Sequence, residues 1–261
     1  MRVHNPRKRV RTGIKVFSVG CAQTHYLYEY VTYLKDRTRG GLTTPGALLA
    51  HADAVLPAGA LIYACAYPDH RVLLIAVEIC SAAYYFDDTM ETLVANAICA
   101  DGAAACLLTC RPGRREQGPA IAGFASALDP SLQDLVGFEQ RQGRLRIILA
   151  PTIRDVAPAI AEQALGQLLT AQGLERTDIR FWLLHPGGRK VIDRVQESLG
   201  LTNDEVALSR RVLRNYGNMS SPTVLFVLHE LMQANAARPG DRGVLLALGP
   251  GLAAEAALLR W

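Results

Sequence analysis

Phe181-Trp182-Leu183-Leu184-His185-Pro186-Gly187-Gly188 places four consecutive apolar residues directly before a histidine, a proline and two glycines. An apolar run without polar alternation reads as a short strand covered on both faces, the habit of parallel and mixed sheets. Proline and glycine then stop the strand at His185. At such a junction an imidazole can point out of the sheet edge, and the small residues let a ligand approach the backbone at the next helix N-terminus. On position alone, the plainer reading is a histidine that satisfies a turn.

Working outward, the pattern alternates. Upstream, Val72 to Val77 is a continuous β-branched apolar run, expected as a strand buried on both faces, and Ala103 to Leu108 reads as another buried strand. Between them Thr89 to Cys99 reads as a helix. A Gly/Pro/Arg-rich loop at 111–119 leads to strands at Ala120 to Ser126 and Leu145 to Leu149. Val156, Ile160, Ala164 and Leu168 then lay one apolar stripe along a helix from Arg154 to Leu169. Downstream of His185 come helices at Val191 to Leu199, Val206 to Val212 and Thr223 to Asn235, then strands at Val244 to Leu248 and Ala253 to Leu259. Strands alternating with helices predict an α/β layered fold. The first 56 residues, with their Tyr-rich stretch (Tyr26, Tyr28, Tyr30, Tyr33), carry no clear period.

Two further motifs bear on chemistry. Asn215-Tyr216-Gly217-Asn218-Met219-Ser220-Ser221-Pro222 precedes an apolar helix, with Ser221 expected as its N-cap and Pro222 in the first turn, where a missing N–H costs nothing. That leaves Asn218 in a Gly-flanked turn. There its carboxamide can donate to a carbonyl oxygen that becomes negatively charged. Gly249-Pro250-Gly251 is a tight turn between the two closing strands.

The totals exclude several classes. Half of the 261 residues are hydrophobic, enough for a sizeable core, and the net charge of +4 owes much to Arg2, Arg7, Lys8, Arg9 and Arg11. The body is thus nearly neutral, which argues against a nucleic-acid groove. Six cysteines are scattered without a CxxC pair, as in a reducing cytoplasm. No apolar run approaches the ~20 residues of a membrane span, and no signal peptide is evident, so neither membrane nor nucleic-acid partners are expected.

FWLLHPGG, then YGNMSSP about thirty residues on, then LGPGL before a final strand pair, resembles the motif order of the type III polyketide synthases, the chalcone and stilbene synthase family. Pro68 to Ser81 and Leu93 to Ala105 resemble the family's strand and dimer-side helix regions. The resemblance covers roughly residues 57 to 261. It implies a thiolase-like layered αβαβα fold whose C-terminal half is complete and whose N-terminal half is incomplete, divided as an atypical segment 1–56, the remainder of the N-terminal half at 57–150 and the C-terminal half at 151–261. Related ketoacyl synthase III enzymes follow their histidine with Gln and Ala, not Pro-Gly-Gly.

By the same resemblance, His185 and Asn218 hold the thioester carbonyl of malonyl-CoA while it decarboxylates, and a cysteine carries the acyl group of an acyl-CoA starter. The expected activity is decarboxylative Claisen condensation, without cofactor or metal, in a cytoplasmic homodimer. Gly187, Gly188, Ser220, Cys99, Gly249, Pro250 and Gly251 are expected to line the substrate site. Cys99 falls where many members place a gating aromatic, and Ala150 near a second one, which implies a roomier pocket. The nucleophile is where the pattern departs. Ungapped counting puts the family's Gly-Cys element at Leu49-Ala50, whereas Gly20-Cys21 matches it locally only after an insertion of about thirty residues. Cys21 is therefore the candidate nucleophile, and a truncated or frame-shifted product is the expected account of the N-terminus, against a true insertion or a diverged pairing protein. Alternative functions are a catalytically silent partner that dimerises with an intact synthase, and a ketoacyl synthase III relative.

Overall fold

The computed structural model describes residues 66–67, 71–109 and 118–261. Cys21, Cys65 and Cys110 lie outside the described residues. The elements are strands β1 (Arg71–Glu78), β2 (Gly102–Thr109), β3 (Ala120–Leu128), β4 (Val136–Arg141), β5 (Arg144–Leu149), β6 (Phe181–Leu184), β7 (Arg242–Gly249) and β8 (Ala253–Arg260). The helices are α1 (Met90–Ile98), α2 (Ile153–Gln172), α3 (Arg189–Ser198), α4 (Ala207–Tyr216) and α5 (Pro222–Gln233).

Side-chain alternation on β6 builds two cores at once. Trp182 and Leu184 join a cluster with Ile160, Ala164 and Leu168 of α2, while Leu183 turns the other way, into a cluster with Val227 and Leu231 of α5. Leu183 is fully buried, which contributes about 2 kcal/mol of transfer free energy. β6 is the edge of a four-stranded sheet ordered β3-β8-β7-β6, parallel to β7 and otherwise antiparallel. α2 covers one face of this sheet and α5 the other. α5 also packs on β2 and β1, a separate antiparallel pair running from Arg71↔Thr109 to Glu78↔Gly102. The order is therefore helix, sheet, helix, sheet.

One sequence expectation fails here. Val72–Val77 is not buried on both faces, because β1 alternates between exposed and half-buried positions. Leu73, Ile75 and Val77 are 54%, 44% and 51% exposed, and Leu107 opposite Leu73 is 55% exposed. An apolar run reports that both faces could be covered; the side facing away from α5 has no cover among the described residues. β2 likewise buries only Ala104 and is not the buried strand its composition suggests.

The first strand of the β4–β5 hairpin has little signal in the sequence, since Val-Gly-Phe-Glu-Gln-Arg carries little alternation. Tertiary contacts fix it: the buried Arg146 of β5 donates to Glu139 Oε1 at 2.7 Å, Thr92 Oγ1 at 3.0 Å and Glu91 Oε2 at 3.1 Å. Glu139 and Glu91 hold this guanidinium above even its usual high pKa. Three partners offset the cost of burying the charge and fasten the hairpin to the first turn of α1. No helix of the described residues is long and apolar enough to cross a membrane.

Candidate functional site

His185 is positioned by the sheet. Its N–H donates to Leu246 O at 2.8 Å, continuing the β6–β7 pairing one residue past the strand. Gly187 N–H then donates back to His185 O at 3.0 Å, a tight return that lays Gly187 beside the imidazole. A Cβ on Gly187 would sit 3.4 Å from His185 Cδ2 and 3.6 Å from Nε2, in van der Waals contact with the ring. The imidazole makes no hydrogen bond or ion pair among the described residues. Although its surface is only half-buried, protein surrounds the ring, and this desolvation pushes its pKa down to about 4. It is thus neutral at physiological pH and carries one N–H to donate.

That shift has a consequence for stability. In the unfolded chain the imidazole titrates near its ordinary value of about 6.5, so between roughly pH 6.5 and pH 4 the unfolded state binds a proton that the native state refuses. Stability contributed by neutral His185 is present above pH 6.5 and lost as pH falls toward 4. Denaturation midpoints measured across this window should fall less steeply in His185→Gln than in the parent chain; parallel curves would refute the assignment.

Asn218 is positioned from the other side. α4 ends at Tyr216, and Gly217, at φ 79°, turns the chain with its N–H on Leu213 O. The Asn218 main chain is then gripped at both ends: its N–H donates to Ile98 O at 2.8 Å, and its carbonyl accepts from Ala100 N–H at 2.7 Å. This is an isolated parallel bridge between Cys99 and Asn218. The carboxamide is oriented by Ser220 N–H, which donates to Oδ1 at 2.9 Å, and by Gly187 O, which accepts from Nδ2 at 3.3 Å. Its second N–H has no acceptor among the described residues. Ser221, expected as the N-cap, makes no capping hydrogen bond and donates to Glu78 Oε1 at 2.7 Å instead. Thr223, in the first turn of α5, ties down the preceding turn, accepting from Met219 N–H at 2.8 Å and donating to Ser220 O at 2.7 Å. Ser220 adopts φ 58° to allow this.

The structure thus brings His185, Gly187, Gly188, Cys99, Asn218 and Ser220 together: Gly187 touches both the imidazole and the carboxamide, and a Cβ on Gly188 would lie 3.7 Å from Ile98 Cδ1, beside Cys99. Gly249, Pro250 and Gly251 form the turn from β7 into β8. Cys21 lies outside the described residues. Of the described thiols, Cys80 is pushed up to about 12, first by burial and then by Cys99, Glu78 and Asp101. Cys106 is raised by burial. Neither is a thiolate at neutral pH. Sequence reasoning missed the segment Ile98–Ala100 as the support of Asn218, because a bridge between residues so far apart in sequence leaves no local signal.

Residues 136–261 match the C-terminal domain of chalcone and stilbene synthases. Over 205 residues the chain is 41% identical to a 3,5-dihydroxyphenylacetyl-CoA synthase of Streptomyces toyocaensis, covering 76% of this chain and 53% of the relative. A 1,3,6,8-tetrahydroxynaphthalene synthase of Streptomyces peucetius subsp. caesius is 37% identical over 201 residues, with 76% and 53% covered. Among solved structures, the 1,3,6,8-tetrahydroxynaphthalene synthase of Streptomyces coelicolor A3(2), a bacterial type III polyketide synthase, superposes with a TM-score of 0.74 at 28% identity, covering 81% of this chain and 60% of that one. PKS-I from the brown alga Ectocarpus siliculosus gives 0.73 at 32% identity, with 79% and 57% covered. The chain spans about half the length of the curated relatives it matches.

Proposed function

The chain belongs to the type III polyketide synthase family, with residues 136–261 as its chalcone and stilbene synthase C-terminal domain, and from that membership we propose that it acts as an acyltransferase condensing malonyl-CoA onto an acyl-CoA starter. The observation that carries this reading is the meeting of a neutral imidazole and a half-satisfied carboxamide across Gly187. Two N–H donors so placed would hold one thioester oxygen. When the malonyl C–C bond breaks, CO2 departs and its electron pair moves through the α-carbon onto that oxygen, where His185 and Asn218 stabilise the charge. The electrons return as the α-carbon attacks the acyl thioester, forming a C–C bond and releasing the cysteine sulfur.

Cys21 is the thiol proposed to hold the starter. Its sequence, Gly20-Cys21 after the apolar Ile14, Val16, Phe17 and Val19, has the composition that a strand-to-helix elbow needs, and the raised pKa values of Cys80 and Cys106 disfavour those two. The test is incubation with an acyl-CoA, peptide mapping by mass spectrometry, and measurement of CO2 from malonyl-CoA. Acylation of Cys21 with CO2 release is expected. A chain that neither acylates nor decarboxylates would keep the family's fold without its chemistry.

Cys99, half-buried Ser220, Gly188 and the 249–251 turn are proposed to line the substrate cavity, with Cys99 and Ala150 leaving room for a long acyl chain. The cytoplasm, where CoA thioesters are made and thiols stay reduced, is the compartment this chemistry requires. The partner surface is proposed to be a second copy, since Leu73, Ile75 and Val77 of β1 and Leu107 of β2 lie exposed side by side, the kind of apolar face that marks an interaction surface. Sedimentation at micromolar concentration should return a dimer or larger species; a well-behaved monomer would overturn this.

A further inference from the structure

Tyr84 follows a single turn of 3-10 helix, Cys80–Ala83, whose C-cap it forms. Its phenol donates to the carbonyl of Cys99 at 2.9 Å. Cys99 is the residue whose two neighbours grip Asn218, Ile98 through its carbonyl and Ala100 through its N–H. The same turn is fastened to this segment a second time. Ser81 donates to Asp101 through both its N–H and its hydroxyl, each at 2.7 Å.

We propose that Tyr84 is a positioning residue for Asn218, acting through the Cys99 carbonyl to set the height at which the carboxamide meets Gly187 and its ligand. The physical reason lies in how a bridge strand is held. Along an extended segment successive carbonyls point in opposite directions, so Ile98 O serves Asn218 and Cys99 O must find its partner on the other side. Cys99 is buried, and the phenol restrains its carbonyl at 2.9 Å, so removing the hydroxyl releases one restraint on how the Cys99–Ala100 peptide is turned. Rotation of the Cys99 peptides moves Ile98 O and Ala100 N–H together, and these are the two atoms that define where Asn218 sits.

The phenol is suited to the task. Burial, and then the nearby Cys99, Asp101 and Cys80, raise its pKa above the ordinary tyrosine value, so it remains a donor across the physiological range. The Nδ2 contact to Gly187 O, at 3.3 Å, is long, and Oδ1 is held by Ser220 N–H of the same turn, so the carboxamide follows its own backbone when that backbone drifts. A displacement of about 1 Å in a positioned donor costs on the order of a hundredfold in rate, so a fastening two contacts away has leverage.

Tyr84→Phe in the full chain tests this, because it removes the hydroxyl and keeps the ring. Residue-resolved hydrogen exchange should show the amides of Asn218 and Ala100 opening about tenfold faster, while the His185 amide, bonded to Leu246 O on the opposite element, is unchanged. The kinetic arm rests on the reading of Asn218 as a malonyl thioester donor: kcat for decarboxylation should fall about tenfold with KM unaltered, since the lost alignment matters where charge develops. Ser81→Ala, which loosens the second fastening and spares the phenol, should shift the same two amides in the same direction by a smaller factor. Equal acceleration at all three amides, or none, would overturn the positioning role. Selective acceleration in a chain that releases no CO2 would sustain the positioning role and remove the proposed function, so the two failures are separable.

Discussion

Asn218→Ala should reduce malonyl-CoA decarboxylation by about a hundred- to a thousandfold, the usual effect of deleting one oxyanion donor, with little change in fold. The carboxamide spends Oδ1 on Ser220 N–H and one N–H on a 3.3 Å contact to Gly187 O, so its removal forfeits few structural bonds. The main-chain bonds to Ile98 and Ala100 survive the substitution. His185→Ala should act with similar size, since the ring makes no hydrogen bond among the described residues and its loss falls on chemistry. On the proposed mechanism the two effects should not add, because both donors would act on one oxygen. Measured CO2 release in Asn218→Ala near the parent rate would remove this residue from the mechanism.

Gly102→Ala should be the most damaging single-atom change in the described structure. A Cβ there would stand 2.6 Å from Met219 Sδ and 2.7 Å from both Met219 Cβ and Cγ. Sδ could swing aside; Cβ cannot move without its backbone. Met219 is 2% exposed and is flanked by Asn218 and Ser220, so any retreat of its backbone is transmitted to the carboxamide. Overpacking of this kind costs about 1–3 kcal/mol, and the thermal midpoint should fall by roughly 2–4 °C per kcal/mol for a chain of this size. Decarboxylation should fall with it, beyond what the lost stability explains. A variant that melts at the parent temperature would show that β2 and the Asn218 turn are not in contact as described.

How far the site was legible follows from the range of each interaction. FWLLHPGG is a local message: four apolar residues make the strand, and proline with two glycines stops it, so His185 could be placed at a strand end from the chain alone. Gly217 and Pro222 likewise announce the turn that carries Asn218 and the start of α5. Gly249-Pro250-Gly251 announces the turn between β7 and β8. Ser221 shows the limit of such reading, since a serine before Pro-Thr has the composition of a cap. Ser221 does stand at the N-cap position of α5, but Glu78, a residue of β1 far away in sequence, takes its hydroxyl.

The sequence by itself determined the order of the helices and of every strand but β4, the α/β layering and the identities of the histidine and the asparagine, because backbone propensity, apolar runs and turn chemistry act over a few residues. Only the tertiary structure decided that Asn218 reaches across 31 positions to Gly187, that Ile98 and Ala100 hold it there, and that Arg146 locks the β4–β5 hairpin to α1. It also decided that the apolar run of β1 has one face on α5 and the other uncovered among the described residues. Each of these depends on which surfaces meet after the chain has closed loops of tens of residues. A residue's own type fixes what it can bond to; its partner is fixed by the packing of whole layers.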